Sequence, residues 1–297
     1  METDFKKMRF DSHSPKRVSF VLTTKNRPDF LEAALGRARA LVRPEDELIV
    51  VDGGSDTPRT FEVVEKFKDL INIFISEPDD SIMHGFNKGV MLSNGKYVKY
   101  LFDDDIFNPV AMEEAVAVLE KNPDVDFLIC GGEKVNVSTG NRRAVYVRPG
   151  VGYGKHPDDV RYGANGIGFF MRRSVFAKVG FATSRYVSDN EFFMQAVAKG
   201  AKVKFCRINL YENMVYPHSN VLKNRAKWYL ESYPIFWQYC SLPFYLRHRL
   251  KAFSVEHNLL PIFKLAERFP GRLRRFSKKI MGLKQEKEPH LWDGGFS

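Results

Sequence analysis

The chain has little cysteine: Cys130, Cys206 and Cys240 are the only three in 297 residues. They are too few and too scattered for a disulfide framework or a cysteine zinc site, and they fit a reducing compartment. No run of about eighteen apolar residues occurs, so no spanning helix is expected. The charged N-terminal stretch from Met1 to Phe10 lacks the apolar core of a signal peptide. Neither a Gly-x-Gly-x-x-Gly pattern nor a Gly-x-x-x-x-Gly-Lys-Ser/Thr pattern is present, which removes the dinucleotide-fold and P-loop readings. Against these absences, a hydrophobic content of 44% allows a proper core and excludes a disordered chain. The length fits one large domain, or one domain with an extension.

The net charge of +10 is unevenly spread. Residues 221–284 hold 14 Lys and Arg against 3 Asp and Glu, whereas residues 1–220 are close to neutral. The basicity therefore belongs to the C-terminal segment, which points to an anionic partner of its own.

Strands and helices alternate through the first third. Apolar stretches at 17–23, 48–51, 71–76 and 97–102 read as buried strands. Helical spacing follows each of the first three, with Asp29 placed to cap the first helix and a third helix over 82–92. This rhythm argues for a parallel sheet covered by helices, in which ligands bind outside the carboxyl ends of the strands. The fourth strand delivers Asp103, Asp104 and Asp105 to its end. Residues two apart on a strand share a face, which pairs Asp103 with Asp105 and leaves Asp104 as the alternative first ligand. Paired carboxylates suit Mg²⁺ or Mn²⁺ when substrate phosphates complete the shell. The plainer reading is an acidic turn, because Asp favours turns and helix caps. The other strand ends carry Thr23, Asn26 and Arg27, then Asp52, then Asp80. Four polar strand ends on one edge read as a nucleotide-phosphate site with a metal.

These residues sit in ordered motifs. Thr24-Lys25-Asn26-Arg27-Pro28 follows the first strand, and Val51-Asp52-Gly53-Gly54-Ser55-Asp56 ends the second. Asn87-Lys88-Gly89 precedes Gly95-Lys96-Tyr97, and Asp103-Asp104-Asp105 closes the fourth. In that order the segment resembles the nucleotide-binding half of the family 2 glycosyltransferases, with their GT-A fold. The resemblance implies that Asp52 meets the base of a donor nucleotide and that Thr23, Asn26, Arg27 and Asp104 line the same pocket. It places Asp80 and Lys88 at the pocket's edge, and a divalent cation between Asp103 or Asp105 and the diphosphate. One departure stands out: the family often has a small or polar residue just before its acidic pair, and Asp103 is a third acid there.

Further along, Gly166-Ile167-Gly168-Phe169 and Val179-Gly180-Phe181 resemble the family's acceptor-side strand and turn. Ser188-Asp189-Asn190-Glu191 opens a helix and matches the family's acidic motif. By that resemblance Asp189 is the base that deprotonates an acceptor hydroxyl, with Glu191 as a second acid. Taken as residues alone, the same stretch reads as a helix cap with an acid complementing the dipole. His218 stands where the family often has a residue that meets the diphosphate or metal; otherwise it is a loop histidine. The polar residues 133–163 read as an acceptor-side region or a surface excursion.

From residue 221 the chain changes in kind. Aromatic residues crowd 228–245, interrupted by Pro234 and Pro243. Ile262, Ala266, Phe269, Leu273, Phe276, Ile280 and Leu283 recur at steps of four and three, one helical face interleaved with basic residues. Such a segment reads as lying on an anionic membrane surface, or as helices packed on the body. No nucleic-acid motif is present.

The sequence thus predicts an α/β chain with a polar leader over 1–16. A GT-A-like mixed, mostly parallel sheet flanked by helices is expected over 17–220, divided after 105 into nucleotide-binding and acceptor halves. A basic, aromatic-rich helical extension is expected over 221–297. By resemblance the activity is inverting, Mg²⁺- or Mn²⁺-dependent transfer of a sugar from a nucleotide-sugar donor, a UDP-sugar favoured. The acceptor would be the hydroxyl of a glycan or lipid-linked glycan, in cell-surface glycan or polysaccharide synthesis at the cytoplasmic face of a membrane. The alternative is a non-catalytic nucleotide-sugar or glycan-binding protein. A sugar nucleotidyltransferase shares the sheet and metal logic, but its Gly-x-Gly-x-Arg-like loop after the first strand is absent.

Overall fold

A computed structural model describes residues 7–9, 15–145, 152–217 and 224–256. Its strands are β1 (Lys7–Arg9), β2 (Lys16–Thr24), β3 (Glu47–Asp52), β4 (Ile73–Ser76), β5 (Gly95–Phe102) and β6 (Ile106–Phe107). They continue with β7 (Phe127–Asn136), β8 (Arg142–Val145), β9 (Tyr153–Gly154), β10 (Phe169–Arg172) and β11 (Val203–Val215). Among the described residues all join one sheet in the order β1-β4-β3-β2-β5-β10-β7-β11-β6, with β8 on β7 and β9 on β11. Strands β4, β3, β2 and β5 are mutually parallel. Strand β10 then enters antiparallel between β5 and β7, and β7 pairs parallel with β11. The antiparallel β10 divides the four-stranded parallel half from the second half of the sheet.

The helices are α1 (Pro28–Ala38), α2 (Pro58–Lys66), α3 (Ile82–Leu92), α4 (Pro109–Lys121), α5 (Val175–Val179) and α6 (Ser188–Ala198). Two more follow, α7 (Arg225–Tyr239) and α8 (Leu242–Glu256). They form layers on both faces. One core cluster joins α1, α2 and α4 to the sheet, and the other joins α3, α5 and α6. Every residue of β3 is buried, as a central parallel strand covered on both faces requires. Helix α3 approaches β2 and β3 closely because residue 89 is glycine: a Cβ there would lie 2.2 Å from Cγ1 of Val21. Helix α1 begins one residue before the expected cap. Pro28 fixes the first helical turn, and Asp29 sits inside that turn, where its charge favours the dipole.

Three elements depart from the sequence reading. Lys7–Arg9, inside the segment read as a leader, pairs antiparallel with β4 at the sheet edge. The last strand, expected to end near Cys206, runs on to Val215; register shifts near Asn209 absorb the irregular pattern Arg207-Ile208-Asn209. Helix α7 continues through Pro234, and the break falls at Cys240, after α7 ends. Helices α7 and α8 pack on the body: Phe236 and Ala252 are fully buried, and Phe236 belongs to the α6-side core. The periodic segment 262–283 and His218 lie outside the described residues. Among the described residues no helix is long and apolar enough to cross a membrane.

Candidate active site

The loops after β2, β3, β4 and β5 gather at one edge of the parallel half. Asn26, at a left-handed φ of 52°, ties two of them together. Its N–H donates to Ser55 Oγ at 2.7 Å, and its Oδ1 accepts from the Asp56 N–H at 3.1 Å. Asp52 does not face the cleft. It is fully buried, and its oxygens accept from Ser55 N–H (2.8 Å), Ser55 Oγ (2.5 Å) and Ser76 Oγ (2.6 Å). Asp52, expected to meet a base directly, is thus turned inward, with three hydrogen bonds from Ser55 and Ser76 on its two oxygens.

The carboxylate that does face this edge is Asp79. It lies flat over Gly53, where a Cβ would come within 2.6 Å of its Oδ2, and it approaches Gly85 as well. It makes no hydrogen bond among the described residues, and its nearest cation is Lys25 at 3.9 Å. Burial raises its pKa, opposed by Lys25, Lys88 and His84. Asp80, expected at the pocket edge, instead points to solvent, 3.7 Å from His84. The chain turns between the two, so only the first faces inward. Lys88 supports this loop, donating to the Pro78 carbonyl at 2.9 Å, and Thr23 is buried against α3 beneath Gly85.

The acidic cluster is not the end of a strand. Strand β5 stops at Phe102, and Asp103 and Asp104 occupy a turn whose Asp105 N–H returns to the Phe102 carbonyl at 3.4 Å. The face-sharing argument for Asp103 and Asp105 therefore fails. Asp103 is engaged on both oxygens: its Oδ2 accepts from Thr24 Oγ1 at 3.0 Å and its Oδ1 pairs with Arg27 at 2.6 Å. Arg27 also reaches Asp104 at 3.0 Å and stacks over Phe30. Asp105 is buried, with Oδ1 accepting from the Asn213 side chain (3.0 Å) and the Met214 N–H (2.9 Å). Its Oδ2 has no hydrogen-bond partner among the described residues. Burial, then repulsion from Asp104, pushes its carboxyl up to about 7. Burial likewise raises Asp103 to about 6, against the opposing pull of Arg27. The pair left with free oxygens is Asp104 and Asp105. Among the described residues no cluster of three His, Cys, Asp or Glu could enclose a metal unaided. Two hard carboxylates fit a cation shared with substrate phosphates.

Asp189 lies in the first turn of α6, half-buried. Its Oδ1 accepts from the Asn190 N–H at 2.8 Å and its Oδ2 from the Gly166 N–H at 3.2 Å. Burial raises its pKa, and these N–H groups and Lys134 pull it back down. The turn at 166–168 is itself pinned: the buried Lys99 donates to the Ile167 carbonyl at 2.6 Å. Glu191, expected as a second acid, is turned towards the loop before α6. Its oxygens accept from Thr183 N–H (3.0 Å), Ser184 N–H (2.8 Å) and Gln195 (3.0 Å), which fixes the loop before α6.

Four residues of this region escape sequence reasoning: Asp79, Lys134, Asn213 and Glu231. The glycines that flank Asp79 in space, Gly53 and Gly85, are the signal that a group approaches there. The other three come from strands or helices distant in the chain, and no local pattern marks them.

Residues 19–180 match the family model described as glycosyl transferase family 2. An uncharacterized glycosyltransferase of Rickettsia conorii is 30% identical over 133 residues, covering 44% of this chain and 22% of its own length. Another, from Rickettsia typhi, is 24% identical over 228 residues, 74% of this chain and 66% of its own. The chain thus spans only part of both relatives. Among solved structures, S. aureus TarS 1–349 in complex with UDP-GlcNAc has a TM-score of 0.58 at 16% identity, over 74% of this chain and 65% of that one. The mannosyltransferase PcManGT from Pyrobaculum calidifontis, in complex with GDP-Man and Mn²⁺, has a TM-score of 0.58 at 16% identity, over 95% and 88%. These likenesses show the fold, the GT-A type.

Proposed function

The chain belongs to glycosyl transferase family 2, and on that premise we propose that it moves a sugar from a nucleotide-sugar donor to an acceptor hydroxyl. The observation that carries the reading is Asp189, a half-buried carboxylate held by two backbone N–H groups at the start of α6. Such a group is rigid, raised in proton affinity and suited to take a proton at the moment of attack. The hydroxyl it deprotonates attacks the anomeric carbon directly, and the nucleoside diphosphate leaves from the opposite face, so the configuration inverts. Asp79 and Lys25 border the place for the base, and Arg27, Asp104 and Asp105 border the place for the diphosphate. Asp104 and Asp105 would hold a divalent cation there, which would offset the negative charge of a departing diphosphate. The donors held by the two solved neighbours, UDP-GlcNAc and GDP-Man, are of this chemical kind.

The extension adds a second reading of place. Leu230, Trp237, Leu242, Leu246, Leu250 and Phe253 are exposed on α7 and α8, in a segment rich in Lys and Arg. That surface favours an anionic membrane and hence a glycan or lipid-linked glycan acceptor, as in cell-surface glycan synthesis. The test of the activity is release of nucleoside diphosphate from a panel of nucleotide sugars with Mn²⁺ or Mg²⁺. The reading predicts turnover with at least one donor, lost in Asp189→Asn with nucleotide affinity kept within a few-fold. Turnover that survives in Asp189→Asn overturns the role of that residue, and a chain inert towards every donor overturns the transferase.

A further inference from the structure

The second half of the sheet carries a row of residues across three strands. Lys134 on β7 is registered with Arg143 on β8 and with Asn213 on β11. Residues directly opposite in a ladder share a face, so the row Arg143, Lys134, Asn213 lies on one side of the sheet. It ends on Asp105, which accepts from Asn213 at 3.0 Å. Lys134 interacts electrostatically with both Asp189 and Asp105. The ammonium is thus within electrostatic reach of both carboxylates, on the face of the sheet that meets Asp105 through Asn213.

The two faces of this ribbon are balanced differently. On the far face Arg142 pairs with Glu133 at 2.9 Å and with Glu212 at 2.7 Å, so its cation is met by two carboxylates. On the near face Lys134 is half-buried and makes no hydrogen bond or ion pair among the described residues. Burial, and then Arg143, lower its hold on its proton. An ammonium with no hydrogen bond of its own makes a strong, charge-assisted hydrogen bond to an anion that arrives. The position in the sheet separates two anions. The nucleotide loops lie at β2, β3, β4 and β5, on one side of β10, whereas Lys134 lies on β7 and Arg143 on β8, on the other. The positive charge extends from the base outward, away from the nucleotide.

Resting on the transferase reading above, we propose that Lys134 binds an anionic group of the acceptor, a phosphate or carboxylate beside the hydroxyl that Asp189 deprotonates. The site thus selects acidic acceptors over neutral ones, and Lys134 holds the attacking oxygen at the base by gripping its charged neighbour.

The experiment is calorimetric titration of the full chain saturated with UDP or GDP and Mn²⁺. Glycerol 3-phosphate and glucuronate serve as probes, so that the two arms separate phosphate from carboxylate. Wild type is expected to bind at least one of them. Lys134→Gln should weaken that binding about tenfold and Lys134→Arg by less than about threefold, with nucleotide affinity unchanged in both. Nucleotide-loaded wild type that binds neither anion overturns the proposal, as does anion binding indifferent to Lys134→Gln. Loss of nucleotide affinity in Lys134→Gln also overturns it, because the cation then serves the diphosphate. A chain that binds no nucleotide fails at the earlier step and removes the transferase reading along with this one.

Discussion

Glu231 and Tyr186 meet across the boundary between the helical extension and the body, carboxylate to backbone N–H, at 2.6 Å. The same carboxylate accepts from the N–H groups of Arg185 at 2.7 Å and Val187 at 3.1 Å. Ser188 and Asp189 follow immediately, so a residue of α7 fixes the backbone from which the base projects. Ser241, between α7 and α8, adds a second clasp, its N–H and hydroxyl donating to Asp158. The extension therefore helps to fix the turn that carries Asp189.

Glu231→Gln keeps the shape of the side chain but turns an N–H₂ group towards backbone donors. It is expected to lower turnover about tenfold while leaving nucleotide affinity within about twofold, since each lost charged hydrogen bond is worth roughly 1.5–3 kcal/mol. Separate measurement of turnover and nucleotide binding decides this. Equal loss of both would show that Glu231 supports the fold as a whole.

Asp189 acts as a base only when ionised, so activity falls as pH drops through its raised pKa. Lys134 opposes that rise by favouring the carboxylate. Lys134→Gln removes the opposition, and the acid limb of the pH–rate profile moves to higher pH. A limb that stays in place, or moves to lower pH, contradicts the coupling between the two residues.

His248 predicts a pH dependence of stability. It is buried, accepts or donates at 2.7 Å to Ser232 Oγ, and stacks on Phe236 with ring centroids 4.2 Å apart. Burial, with Lys251 and Arg249 nearby, depresses its pKa to about 4. The unfolded chain therefore binds the extra proton from its ordinary value near 6.5 down to about 4, and stability is lost as pH falls across that window. The loss is on the order of 3 kcal/mol. Thermal melts at pH 7 and pH 4.5 check it: His248→Phe is expected to flatten the difference, and an unchanged difference would place the acid sensitivity elsewhere.

Gly89→Val tests the close approach of α3 to the sheet. The new side chain would overlap Val21 and Val51. A destabilisation of about 1–3 kcal/mol is expected from overpacking, read as a lower denaturation midpoint. A neutral substitution would mean that α3 can lift from β2 without cost.

The parallel half of this fold is legible in the sequence because each strand is a short apolar run that ends in a polar loop. The strands β2, β3, β4 and β5 lie within one or two residues of the stretches read for them. What was not legible depends on pairing over distance. Strand β11 extends past Cys206 only because β7 continues beside it and tolerates two register shifts. Among the acids, composition shows that carboxylates cluster but not which oxygens their neighbours consume. Asp52, Asp103 and Glu191 each accept on both oxygens from neighbouring groups, whereas Asp79 and Asp105 keep an oxygen without a partner among the described residues. Asp79 and Asp80 are adjacent in sequence and differ only in which way the loop turns.

The central claim is that a nucleotide and a divalent cation share the edge formed by Asp79, Arg27, Asp104 and Asp105. The most direct measurement is the shift in thermal stability caused by UDP and by GDP, each with and without Mn²⁺, in wild type and in Asp105→Asn. At about 100 times its dissociation constant a ligand adds roughly 2.7 kcal/mol of stability. The account predicts a shift of that size with one of the nucleotides, dependent on Mn²⁺ and lost in Asp105→Asn. No shift with either nucleotide, or a shift indifferent to both the cation and Asp105, would contradict it.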